Sequence, residues 1–141
     1  MGFYLKIEGA ENIELDDHII ETVKFHTDTP DDSDARSTDV VNTITVNGKI
    51  LAAVDGEAAD QTMKLAKWSL VRAEVSDSYR RLTIEVHTAS QIIRKFSFPN
   101  AFVVDYYEHF GDSQGVGGFE LIMRQKKDKF ESTTIEGGYG F

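Results

Sequence analysis

Cysteine is absent from the 141 residues, which excludes disulfides, thiolate nucleophiles and cysteine-ligated zinc. Positive charge is scarce. Fifteen Lys and Arg stand against 24 Asp and Glu, for a formal net charge of −9. A chain this acidic is a poor ligand for nucleic acid unless a local patch overrides the total. The one dense basic run, "RQKKDK" at 124–129, reads as a solvated strand end, so no nucleic-acid partner is expected. No apolar run approaches the roughly 18 residues that span a bilayer, so no membrane insertion is expected either. The opening "MGFYLKIEGAENIELDD" has neither a basic start nor a continuous apolar stretch, and reads as lacking a signal peptide. Gly2 is present, but Lys6 stands where a myristoylation signal prefers Ser or Thr. These absences fit a protein made in the cytoplasm.

Apolar material is plentiful enough for a core. Hydrophobic residues make up 40 % of the chain, with nine Phe, five Tyr and one Trp, and the length suits a single domain over 1–141. Most of the sequence alternates with period two, the signature of half-buried strands. "FYLKI" sets Phe3, Leu5 and Ile7 against Tyr4 and Lys6, and "IETVKFHT" sets Val23 and Phe25 against Thr22, Lys24 and His26. "VVNTITV" sets Ile44 and Val46 against Thr43 and Thr45. "RLTIEVH" and "FELIM" follow the same rule, with Leu82, Ile84, Val86 and then Phe119, Leu121, Met123 on the inner faces. About seven strands are expected, with an eighth near the C-terminus. One segment breaks the period. "DGEAADQTMKLAKWSLVR" (55–72) places Ala59, Met63, Ala66 and Leu70 on one helical stripe, with Asp55 as N-cap and Glu57 and Asp60 at the positive end. Leu65 and Trp68 lie off that stripe. Either the helix buries a wide face, or these two side chains meet another molecule. Many strands and one helix predict a mainly β fold, an antiparallel β-barrel or sandwich with one flanking α-helix.

"FSFPNAFVVDYYEHF" (96–110) looks at first like an active site, with Asp105, Tyr106, Tyr107, Glu108 and His109 in a row. Alternation dissolves it. Asp105 and Tyr106 point to opposite faces, and Asp105 and His109 stand four residues apart, roughly 13 Å along a strand. An acid–base pair needs about 3 Å. On this reading Ala101, Val103 and Tyr107 give the second face of the strand more apolar surface than water normally meets. The other motifs are weak. There is no His-Glu-x-x-His and no Gly-x-Ser-x-Gly, and "GVGGFE" precedes a strand rather than a phosphate-binding helix. The acids of "DDSDARSTD" lack the glycine and terminal glutamate of an EF-hand. His18, His26, His87 and His109 are spread singly along the chain, whereas a catalytic zinc needs three ligands to converge. No catalytic residue, metal or cofactor is expected.

Four stretches, in order, carry a likeness. They are "GFYLKIEG", then "NTITVNGKI" running into the helix "ADQTMKLAKWSL", the hairpin "RRLTIEVHTASQIIRKFSFPNAFVVDYY", and the closing "GGFELIMRQKK". Together they resemble the haemolysin-coregulated protein (Hcp) family, inner-tube subunits of bacterial type VI secretion systems that are similar to phage tail-tube proteins. The resemblance implies a small β-barrel with one flanking helix that assembles into hexameric rings stacked as a hollow tube. It implies partners in other copies of the chain, a sheath and effector proteins, and export by the apparatus itself. It would place Leu65, Trp68, Val103 and Tyr107 at ring contacts. The long acidic 26–39 loop, with Asp31, Asp32 and Asp34, would reach a neighbouring ring. The alternative is a monomeric β-barrel binding module that recognises a ligand or protein through its 26–39 and 111–118 loops.

Overall fold

The computed structural model describes residues 1–28, 41–51, 61–112, 117–125 and 133–140. Nine strands and one α-helix lie among them: β1 Gly2–Glu8, β2 Ile13–Leu15, β3 Ile20–Asp28, β4 Val41–Ile50, α1 Gln61–Ser69, β5 Arg80–His87, β6 Gln91–Phe110, β7 Gly117–Gln125, β8 Thr134–Glu136 and β9 Tyr139–Gly140. A short 3-10 turn, Ser76–Ser78, leads from α1 into β5. The strands form one antiparallel sheet in the order β2-β1-β5-β6-β7-β4-β3, with β8 and β9 also paired to β6. The expected fold class is present, but the sheet is open rather than a closed barrel. β1 and β3 approach one another with no ladder between them. The edge strand beside β1, β2, is only three residues long.

Period-two alternation sorts the inner faces as the sequence predicts. Leu5 and Ile7, Ile44 and Val46, Leu82 and Ile84, and Phe119, Leu121 and Met123 are all buried in one core. Phe25 joins it by stacking on Phe96, with ring centroids 4.7 Å apart.

The helix departs from expectation. Its buried side chains are Thr62, Leu65 and Trp68, while Met63 is 55 % and Leu70 81 % exposed. The stripe through Met63 and Leu70 therefore faces outward, and the residues read as off-stripe face the core. Of the two alternatives for Leu65 and Trp68, burial in their own chain is the one the fold adopts, which leaves neither side chain surface for a ring contact. The physical reason is Trp68. Its large ring gains more from burial than Met63 and Leu70 would, and its indole N–H has a partner inward, donating to the Ser78 carbonyl at 3.1 Å. Asp55, Glu57 and Ala59 lie outside the described residues.

Gly48 sits at an inward position of β4, where a side chain would normally fill the core. A Cβ there would lie 2.5 Å from the Ile19 carbonyl oxygen and 2.6 Å from the Phe119 ring. The Lys49 N–H also donates to that carbonyl at 2.8 Å, so it cannot withdraw without breaking a hydrogen bond. Gly48→Ala is expected to lower the unfolding free energy by about 1–3 kcal/mol, measured as a lower urea midpoint. An unchanged midpoint would mean the β3 entry is looser than this contact implies.

Candidate assembly surface

β6 is twenty residues long and pairs with β5 along its first half and β7 along its second. Three irregularities interrupt it, the first near its start, where Val86 pairs with Arg94 but His87 with Ile92 and Ile93 is extra. Leu82 pairs with Phe98 but Arg80 pairs with Ala101, so β6 carries one extra residue at Pro99–Asn100. Proline lacks the N–H a ladder needs, which makes this a natural place for a bulge. The Asn100 N–H turns instead to the side-chain oxygen of buried Gln125, at 3.1 Å. Val103 then pairs with Met123 and Asp105 with Ile122, leaving Val104 as a further extra residue.

Each extra residue reverses the facing of everything beyond it. Phe96 and Phe98 point inward, then Ala101 and Val103, then Tyr106. Val103 is thus corrected from the outer face to the inner one, half-buried against the core opposite Met123. It also lines a small cavity of about 90 Å3 with Trp68, Val71, Tyr79 and Phe102. Tyr107 lies beyond the bulge at Val104 and remains outward, 54 % exposed opposite Glu120. Tyr106 turns in, its ring stacked on Phe119 with centroids 6.3 Å apart, while its hydroxyl donates to Glu108 at 2.7 Å. Asp105 and Tyr106 do face opposite ways, and Asp105 shares its outward face with Tyr107 and His109. Asp31, Asp32 and Asp34 lie outside the described residues.

The exposed end of β6 carries a feature the sequence reading missed. Phe110 is 69 % exposed and lies across Gly117, where a Cβ would come within 2.6 Å of its ring. His109 lies across Gly118 in the same way, too close for any side chain there. Gly117 and Gly118 thus seat two rings at the start of β7, in keeping with a strand rather than a phosphate-binding helix. Beside them an open groove of about 690 Å3 runs past Glu21, Asn47, Lys49 and His109. With Tyr107, Met63 and Leu70, Phe110 is among the large apolar side chains left uncovered.

Polar chemistry elsewhere is local. His18, His26 and His109 are exposed, and His87 is half-buried with Nε2 2.8 Å from Glu85. The other Glu85 oxygen lies 3.9 Å from the Lys95 ammonium. Burial first, and then the nearby Glu14 carboxylate, raise the Tyr4 phenol above its ordinary pKa. Asp16, Asp17 and His18 bring ligand atoms within 4.8 Å of one another, all exposed. A turn accounts for them: Asp16 accepts the His18 N–H on its side chain at 3.0 Å and the Ile19 and Ile20 N–H groups on its carbonyl.

No family model and no curated protein matches the sequence, but solved structures match the fold. Hcp1 from Flavobacterium johnsoniae superposes over 97 % of this chain and 96 % of its own, with a TM-score of 0.53 at 15 % identity. Hcp2 from Salmonella typhimurium covers 100 % of this chain and 96 % of its own, with a TM-score of 0.51 at 13 % identity. A chain from the PVC sheath-tube complex of an extracellular contractile injection system, in its extended state, covers 96 % and 88 %, with a TM-score of 0.53 at 13 % identity. Identities this low speak to fold alone, and the fold of this chain is the Hcp fold, shared with proteins of type VI secretion and contractile injection systems.

Proposed function

We propose that this chain is a structural, self-assembling ring or tube subunit of a bacterial contractile injection or secretion apparatus, and not an enzyme. The observation that carries this reading is the end-to-end fold match, nearly complete on both chains, to Hcp1. The exposed apolar side chains Tyr107, Phe110, Met63 and Leu70 support it, because each is a large side chain left more than half exposed in a single copy. On this reading the partners are further copies, in hexameric rings that stack, together with a sheath and effectors passing through. Asp31, Asp32 and Asp34 act between rings. The subunit is made in the cytoplasm and leaves through its own apparatus.

Charge governs how such rings stack. Six copies at −9 each carry −54 together, a self-repulsion that salt screens over about 8–10 Å near physiological ionic strength. Stacking is therefore expected to increase from low to physiological salt. Light scattering after size-exclusion chromatography, with negative-stain microscopy of the same fractions, tests both points. Rings near six times the 15.8 kDa subunit support the reading. A monomer at every concentration and salt overturns it, and directs attention to the groove beside His109 and Lys49 as the site of a monomeric binding module.

A further inference from the structure

The C-terminal stretch Thr133–Gly140 reaches the sheet through one strand only. β8 pairs with β6 at Thr134↔Ser97, Ile135↔Phe96 and Glu136↔Lys95, and β9 at Tyr139↔Ile92 and Gly140↔Gln91. The side chains do little to hold it. All five paired residues are exposed, Ile135 by 53 % although it lies opposite buried Phe96, and Tyr139 by 39 %. The backbone fit, by contrast, is specified. Gly138 has a φ of +77°, which favours glycine, and its N–H donates to the Ile92 carbonyl at 2.9 Å. A side chain on Gly137 would collide with the Ile93 carbonyl. The sequence thus encodes a strand shaped for β6 and held by its main chain. Main-chain pairing does not depend on which copy supplies the strand.

We propose that β8–β9 is exchanged between copies, so that the strand of one subunit lies on β6 of the next. This deepens the ring reading and rests on it. Chain length permits the exchange. Gln125 pairs with Ala101 and Thr134 with Ser97, so within one copy the connection joins points four residues apart on β6, about 13 Å. The nine peptide units from Gln125 to Thr134 can extend to about 30 Å. That surplus lets the strand reach a neighbouring β6 while keeping every ladder pair. In a free monomer the tether favours the chain's own strand, at an effective concentration on the order of mM. A ring holds neighbouring strands at fixed distance and removes that advantage. In the exchanged ring Ile135 and Tyr139 lie at the boundary between copies, where they gain the cover they lack in one.

The cysteine-free chain makes the test direct. Ser97→Cys with Thr134→Cys, and separately Lys95→Cys with Glu136→Cys, are oxidised in the assembled fractions and run under denaturing, non-reducing conditions. Exchange predicts a ladder of covalent multimers from the rings. It also predicts disulfide-linked heterodimers when Ser97→Cys protein is assembled with Thr134→Cys protein. Rings that yield only intrachain disulfides overturn the exchange and leave the ring reading standing. Monomers with intrachain disulfides overturn both. A ladder that stops at dimers, from a dimeric protein, upholds exchange and overturns the ring. No disulfide in either pair overturns the placement of β8 on β6, and the proposal with it.

Discussion

Trp68→Ala is expected to lower the unfolding free energy by about 3–5 kcal/mol, the range for truncating a large buried aromatic. Trp68 is 2 % exposed and lies in the core cluster with Leu65. Its indole N–H satisfies the Ser78 carbonyl, and its ring lies 5.3 Å from the Arg80 guanidinium. Truncation leaves a cavity, an unpaired buried acceptor and a buried cation without its aromatic face. Trp68→Phe keeps most of the volume but loses the donor, for a smaller loss near the ~1 kcal/mol of a typical hydrogen bond. Leu70→Ala, on the outward face, is expected to change stability by less than about 0.5 kcal/mol. Because Trp68 is the only tryptophan, far-ultraviolet circular dichroism in urea is the common probe for all three variants. A larger cost at Leu70 than at Trp68 would restore the helical stripe read from the sequence and reverse the helix orientation described above.

The same helix shows what the sequence could and could not disclose. Strand faces were legible wherever a strand stays regular, as at Leu5 and Ile7 or Phe119, Leu121 and Met123, because a two-residue period carries its meaning locally. Facing along β6 was not. From Phe96 onward parity depends on two extra residues, and only Pro99 gives any compositional hint of one; Val104 looks like any other strand residue. Tyr107 was placed outward correctly and Val103 was not, since the bulge falls between them. The helix face was missed for a different reason. A nine-residue helix offers few apolar positions to count, and what favours Trp68 inward is the Ser78 carbonyl, supplied by a separate turn. That β2 and β3 remain unjoined is a matter of pairing between distant segments, which no local pattern records. The element order carried the likeness to the Hcp fold even so. The candidate contact surface was only partly legible, with Tyr107 seen and Phe110, Met63 and Leu70 overlooked.

Asp77→Ala is the second change expected to be severe, and it should cost more than removing its partner. Arg80 is 5 % exposed. Its Nη2 and Nε donate to the two Asp77 carboxylate oxygens, at 2.5 and 3.2 Å, and Nε also to the Asp77 carbonyl at 3.2 Å. Asp77 in turn accepts the Ala10 N–H at 3.0 Å, so the pair ties the turn after α1 to the turn between β1 and β2. The fit is close enough that a Cβ on Gly9 would lie 2.8 Å from the Arg80 stem. Removing the carboxylate strands a buried cation, at about 3 kcal/mol, the low end of the range for breaking a buried pair because the Asp77 side chain is 26 % exposed. Arg80→Met removes the charge as well, along with the buried Nη1 that has no hydrogen-bond partner. It leaves a partly exposed carboxylate that still caps Ala10, so a loss within about 1 kcal/mol is expected. The Arg80 hydrogen bonds, more than the Ala10 N–H, hold the Asp77 carboxyl below its ordinary pKa against the opposing effect of burial. A depressed carboxylate stabilises the fold above its unfolded pKa of about 3.9. That contribution disappears as the pH falls through the lower, folded value. The difference between wild type and Asp77→Ala in urea midpoint should therefore be full at neutral pH and shrink only below about pH 4. If Arg80→Met destabilised as much as Asp77→Ala, the stabilisation would come from the packing of the arginine stem against Gly9 and Trp68. Charge pairing would then be incidental to how the helix is held on the sheet.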